Sequence, residues 1–282
     1  SIRRFIPNAT HITNVALHDF PNVQHFFENL VKDSVIDIKQ VGKGFQYSSD
    51  IIRNRHYAYH GLFMDYFIRK HLSNQCNIEI SDGRTEFILE HPDDYIIGTK
   101  TELHEAIKRH YAIFKDPKSR AMDIIKSIRI VALSHTIFFQ EPLPSCEYTV
   151  NEMNLREVVK YLQSLPFTAV ELNPAFDCEY FLGDADLIFD NDVIYEIKTS
   201  KYKSLTYDES EIPLSKFYQP IIYGFGFYKK TGKMIKQFKI YNPLLGFEYS
   251  IELNDIDFVL FEKVLERDVD VHCRLSEFLE KC

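Results

Sequence analysis

No run of apolar residues in this chain approaches the roughly 18 needed to cross a bilayer, so no membrane-spanning helix is expected. The opening Ser1-Ile-Arg-Arg-Phe-Ile-Pro7 lacks the long apolar region of a secretory signal. It also lacks an initiator methionine, the mark of a processed or tagged chain. A disulfide scaffold is excluded too. The five cysteines, Cys76, Cys146, Cys178, Cys273 and Cys282, are scattered and odd in number, which points to a reducing intracellular compartment, cytoplasm or nucleus. No Walker loop, G-x-G-x-x-G or H-E-x-x-H occurs, so neither an ATPase nor a zinc protease is indicated. Internal repeats and low-complexity tracts are absent.

The 282 residues are 45% apolar and 14% aromatic, enough to build a core in one large domain or two small ones. A net charge of −8 sits awkwardly with a nucleic-acid partner, because phosphate contacts need basic surface. The lysines are unevenly spread, however. Lys198, Lys201 and Lys203 follow one acidic stretch, and Lys229, Lys230, Lys233, Lys236 and Lys239 cluster after it.

That acidic stretch organises the chain. Two apolar runs, 187–189 and 193–197, flank Asp190-Asn191-Asp192, which reads as a β-hairpin turn. Charge interrupts both runs. Asp186 starts the first, and Glu196 and Lys198 share the Ile194 face of the second. A three-residue loop sets Phe189 opposite Val193 and therefore Asp186 opposite Glu196. A two-residue loop would turn Asp186 to the other face. With the longer loop, two carboxylates and a lysine converge at the sheet end. Acids so close repel, and one tends to hold its proton unless a divalent cation intervenes; oxygen ligands suit magnesium or manganese.

Ala185-Asp186, nine residues, then Glu196-Ile-Lys198 resembles the core of the PD-(D/E)xK nuclease superfamily. Gly183-Asp-Ala-Asp-Leu-Ile188 with the later Gln219-Pro-Ile-Ile-Tyr223 is similar to its RecB/Cas4-like branch, which carries a Gln-x-x-x-Tyr signature. Ala185 stands where the superfamily name has proline. The resemblance implies a metal-dependent nuclease acting on nucleic acid, DNA in preference to RNA. It implies Asp186 and Glu196 as metal ligands, with the Ile197 backbone carbonyl as a third and Asp65 as a further candidate. It implies Lys198 as the group that positions the attacking water or meets charge on the phosphate. Gln219 would hold the active-site geometry, and Tyr223 would lie near substrate. Only Cys273 and Cys282 follow the hairpin, too few for the iron–sulfur cluster of some relatives, so none is expected. A catalytically idle relative, serving as a binding or assembly subunit, is the rival reading. A protein partner or a homodimer is a further expectation.

In chain order, 21–32 reads as a short helix after Pro21, and Val41-Gly-Lys-Gly44 as a turn. Residues 57–72 read as a helix that is similar to the first core helix of the superfamily, in which Asp65 either faces the metal site or forms an i,i+4 surface pair with Arg69. Residues 86–90 read as a strand. Residues 101–114 read as a helix capped by Thr99 or Thr101, followed by helices at 117–135 and 151–165. Strands follow at 168–172, 179–189 and 193–199, then a helix through Gln219 and Tyr223. Pro220 there demands either a helix start near Phe217 or a kink. Strands at 236–241 and 247–253 precede helices at 256–266 and 271–279. This order predicts an α/β class with a central sheet flanked by helices, and the resemblance implies a restriction-endonuclease-like mixed sheet. An N-terminal helical region, 1–166, would supply the first core helix and a lobe over the cleft, and the nuclease core would occupy 167–282. Asp184 is the same-face alternative to Asp186. Asp190 and Asp192 read as turn residues, and His60 and Tyr218 as structural.

Overall fold

The structure is a computed structural model that describes residues 19–44, 57–95, 101–141, 143, 152–199 and 212–282. Lys201, Lys203, Cys146 and Thr99 lie outside them. Among the described residues no helix is long and apolar enough to cross a membrane.

The protein is α/β. A mixed six-stranded sheet runs in the order β1 (Asp37–Gln40), β8 (Phe247–Glu252), β7 (Gln237–Asn242), β6 (Val193–Ile197), β5 (Leu187–Phe189), β2 (Val170–Leu172). The β6–β7 pair is parallel and its other pairs are antiparallel. Alternation along the strands sorts their side chains to two faces. Ile188, Ile194, Phe238, Ile240, Tyr249 and Ile251 meet helices α1 (Pro21–Val31), α8 (Tyr218–Thr231) and α9 (Phe258–Lys281) on one face. Leu187, Phe189, Tyr195, Ile197 and Tyr241 meet α2 (Tyr57–Cys76), α6 (Ile125–Phe138) and α7 (Glu152–Ser164) on the other. Helices α3 (Gly83–Glu90) and α5 (Thr101–Lys115) pack with α6 around Ile88, Ile107 and Ile137. The first half of the chain thus gives the sheet an edge strand, β1, as well as helices; its four residues are all exposed, so no burial pattern marks them in the sequence.

Several elements depart from the sequence reading for identifiable reasons. The segment 86–90 is helical, because the Asp82 side chain accepts the Thr85 N–H at 3.0 Å and starts α3; the apolar Phe87-Ile-Leu triplet suits either state. Pro117 lies in a turn rather than at a helix start. Asp116 accepts the Lys118 N–H at 2.9 Å there, and after a 3-10 turn at Ala121–Asp123 helix α6 begins at Ile125. The two expected C-terminal helices are one. Asp268, in the stretch between them, is buried and caps α1, accepting Asn22 Nδ2 at 2.7 Å and the Val23 N–H at 2.8 Å. The expected strand at 179–189 is split. A separate two-stranded sheet pairs β3 (Ala175–Asp177) with β4 (Leu182–Asp184), and the chain crosses to β5 through Ala185 and Asp186.

The β5–β6 hairpin has the three-residue loop. Phe189 pairs with Val193 and Leu187 with Tyr195, so one further step sets Asp186 opposite Glu196. Asp190 and Asn191 both adopt positive φ, at 51° and 59°. Asp190 also ties the turn to β2 by accepting Thr168 N and Oγ1 and Ala169 N.

Buried histidines make the fold acid-sensitive. Burial pushes His60 down to about 3 and His135 to about 4. Below the ordinary value of about 6.5 each of these imidazoles therefore binds its proton more readily in the unfolded chain, and its own contribution to folding stability falls with decreasing pH by up to about 1.4 kcal/mol per pH unit, less for the half-buried His135. Urea denaturation at pH 6.5 and pH 5 should show a smaller loss in His60→Gln than in the parent; equal losses would contradict this assignment.

Candidate active site

The C-terminal end of β6 carries the site. Glu196 is 2% exposed and Lys198 lies two residues on, just past the strand. Glu196 and Asp186 are held together by backbone hydrogen bonds against the mutual repulsion of their charges. The Ile197 N–H donates to Asp186 Oδ2 at 2.6 Å, and the Asp186 N–H donates to Glu196 Oε1 at 3.4 Å. Lys198 Nζ stands 3.8 Å from Glu196 Oε2 and donates to Gln219 Oε1 at 3.0 Å. Gln219 Nε2 in turn donates to the Tyr223 hydroxyl at 3.0 Å. A polar relay therefore runs from the carboxylates through lysine and amide to phenol, across three elements. Pro220 does not break α8. The helix starts at Tyr218 behind a 3-10 turn, Leu214–Phe217, which leaves Pro220 in the first turn, where its missing N–H costs nothing.

Asp65 reaches the same region from α2. A Cβ on Gly61 would come within 2.5 Å of Thr199 Oγ1, so glycine lets α2 close on the end of β6, and Asp65 follows one turn later. Asp65 stands close enough for its charge to raise the proton affinity of Asp186. It does pair with Arg69, Oδ2 to Nη2 at 3.0 Å, but Arg69 is 1% exposed and the pair is internal. Arg69 also contacts Asp82 at 3.3 Å, and Asp82 accepts the Tyr66 hydroxyl. The other Asp65 oxygen, Oδ1, is buried without a hydrogen-bond partner.

Electrostatics couples these acids. Burial, then the charges of Glu196 and Asp65, raise Asp186 well above the ordinary carboxylate range. Burial pushes Glu196 up to about 7 against the pull of Lys198. Asp65 is also raised, by burial that outweighs Arg69. Buried carboxylates with so little countercharge keep protons or take a cation. Among the described residues no three His, Cys, Asp or Glu side chains form a ready cage. The donor set fits a magnesium-like ion, which is held through one or two carboxylates and keeps several waters. Asp184, the same-face alternative, sits on β4, where its Oδ1 accepts Arg84 Nη2 at 3.1 Å and its charge still acts on Glu196 and Asp65. His60 is fully buried, and Tyr218 stacks on Phe27 at 4.8 Å.

Sequence reasoning missed the layer behind Asp65, namely Arg69, Asp82 and Tyr66. Its only trace was the i,i+4 spacing of Asp65 and Arg69. It also missed Arg84, whose guanidinium lies over Phe139 and bridges α3 to β4.

Fold and site together define an α/β protein with a buried and a half-buried carboxylate side by side and a lysine at the end of its central sheet. No family model, no curated protein and no solved structure matches the chain.

The crowding of acids has a measurable consequence. At pH 8 without divalent cations, Glu196→Gln should raise stability by roughly 1–3 kcal/mol, because ionising a buried carboxyl whose value is shifted upward destabilises the folded state. Magnesium should stabilise the parent and not the variant. A less stable Glu196→Gln protein would show that the carboxylate is satisfied as it stands.

Proposed function

We propose that this chain is a metal-dependent nuclease that hydrolyses phosphodiester bonds, in DNA rather than RNA, on a restriction-endonuclease-like PD-(D/E)xK core of the RecB/Cas4-like branch. One observation carries the reading: Asp186, Glu196 and Lys198 meet at one sheet end, with Lys198 held by Gln219 and Gln219 by Tyr223. The mixed sheet flanked by helices supports it.

Asp186 and Glu196 would hold magnesium or manganese, with the Ile197 carbonyl and Asp65 at its margin. The cation, when bound, supplies charge neutralisation at the phosphate and acidifies a water for attack. The protein's own groups do the rest. Asp186 and Glu196 shed their protons as the site fills, so occupancy is favoured as pH rises. Gln219 fixes the Lys198 ammonium by accepting a hydrogen bond from it, and Tyr223 fixes Gln219 by accepting one from its amide. Lys198 keeps 38% of its side chain exposed, so it can meet an incoming phosphate while still near Glu196. A cation beside a cation is unfavourable, which makes Lys198 superfluous for holding an ion. It becomes useful when phosphate charge builds in the transition state.

With labelled single- and double-stranded DNA and RNA as substrates, the parent should cleave in magnesium or manganese, and Asp186→Ala and Glu196→Ala should abolish cleavage with the fold retained. Calorimetric metal binding should weaken sharply in both. Unchanged cleavage in these variants would place the activity at another site or in a contaminant.

Lys198→Ala separates an enzyme from an idle subunit. It should leave metal affinity equal or slightly stronger and cut turnover by about 100-fold or more, the scale of losing one preorganised transition-state contact. A parent that cleaves no DNA or RNA, with Lys198→Ala altering stability alone, would make the protein a binding or assembly subunit.

A further inference from the structure

The sheet has a second charged concavity, on the face opposite Glu196. Lys239 and Glu248 lie on the Tyr195 side of β7 and β8, and Lys39 on β1 pairs in register with Glu248. There α7 leaves the β7–β8–β1 edge uncovered, and a groove of about 680 Å³ opens, lined by Lys39, Lys43, Lys160, Lys239, Glu157 and Glu248 among others.

We propose that this groove is a second nucleic-acid-binding surface, which holds the phosphodiester backbone away from the cutting site and reads no sequence. The proposal rests on the nuclease reading for the identity of the polyanion.

Three observations support it. The first is charge. In a chain whose acids outnumber its bases 41 to 33, four lysines line one groove beside two acids. Glu248 is already engaged, by the Tyr161 and Tyr195 hydroxyls and by Lys239 at 3.2 Å. Burial pushes Glu248 up, but these hydrogen bonds outweigh it and hold the carboxylate below its ordinary range. Glu157 accepts the Lys43 N–H at 3.3 Å. Among the described residues the side chains of Lys39, Lys43 and Lys160 make no ion pair, and four lysines against Glu157 and Glu248 leave the groove with two positive charges in excess. Lysine on an exposed edge strand also deters sheet-to-sheet pairing, but that accounts for Lys39 alone, since Lys43 is on a loop and Lys160 on a helix.

The second is rigidity. The Val41-Gly-Lys-Gly44 loop is pinned to the β7–β8 turn, the Val41 N–H donating to Gly246 O at 2.8 Å. Gly44 and Gly246 have φ of +71° and +75°. A Cβ on Gly44 would lie 2.6 Å from Leu244 O, and one on Gly246 would overlap Gly42 O. The backbone that presents Lys43 is therefore fixed before any ligand arrives, which lowers the ordering cost of binding.

The third is what the groove lacks. Its cations are lysines, point charges without the planar fork that reads bases or grips one phosphate in two bonds. Its aromatic ring, Tyr161, is 6% exposed and offers no stacking platform. Such a lining suits a run of backbone phosphates.

The test is fluorescence anisotropy in EDTA with single-stranded DNA of about 10 and about 40 nucleotides, over a salt series. Lys39→Glu, Lys43→Glu and Lys160→Glu together should weaken binding of the longer strand at least about tenfold and reduce the salt slope by about 2 to 3. The triple Lys230→Glu, Lys233→Glu, Lys236→Glu changes net charge equally and should cost under about threefold. Equal losses in both triples, or none in the groove triple, would overturn the proposal. So would displacement of the long strand by inorganic phosphate as effectively as by unlabelled DNA, which would make the groove a small-anion pocket. Should the groove triple fold poorly, the triple glutamine variant should show the same direction of effect, and full retention of binding there would also overturn it. A parent that binds through the groove and never cleaves would remove the nuclease reading and keep this one; a cleaving parent indifferent to the groove would do the reverse.

Discussion

The structure depends on a crowding of buried negative charge at one end of its sheet. Asp186, Glu196 and Asp65 all have their proton affinities raised, burial being the largest cause for each. The fold does not neutralise them with matched bases. Lys198 stays 3.8 Å from Glu196 and spends its short hydrogen bond on Gln219, while Arg69 divides itself between Asp65 and Asp82. A protein selected for stability alone would replace such acids with apolar groups of similar size. Their retention, beside a lysine that an ion does not need, is the feature that the nuclease reading accounts for.

Three elements have to meet for that crowding to exist, and each does so through an ordinary local device. The Asp190-Asn-Asp192 loop sets the hairpin register by its length and its positive φ angles. The break between β4 and β5 delivers Asp186 where the chain changes sheets. The absence of a side chain at Gly61 lets α2 approach Thr199. A longer hairpin loop, a continuous strand or an alanine in α2 would each part the acids.

These devices differ in how legible they were from sequence. The hairpin was readable because alternation and loop length fix a register, and the Asp186–Glu196–Lys198 juxtaposition follows by counting. The start of α8 was readable because proline tolerates few helix positions. By contrast, α3 was taken for a strand, because Phe87-Ile-Leu89 carries no period and the capping role of Asp82 was overlooked. The continuity of α9 through Asp268 leaves no sequence signal, because a buried acid there makes sense only with α1 packed against it, a contact 245 residues away in sequence. Edge strand β1 is exposed throughout, and the β3–β4 pair is only three residues long on each side, so neither leaves a periodic signature. The Arg69–Asp82–Tyr66 layer behind Asp65 was out of reach for the same reason as Asp268: long-range pairing leaves no local trace.

The central claim is that Asp186 and Glu196 share one divalent cation, and crystals soaked in manganese test it most directly through anomalous scattering. The account predicts one strong peak at the end of β6, about 2 Å from a carboxylate oxygen of each residue, that disappears in Asp186→Ala crystals. A strong peak at another acidic cluster, or none at manganese concentrations that support cleavage, would contradict it.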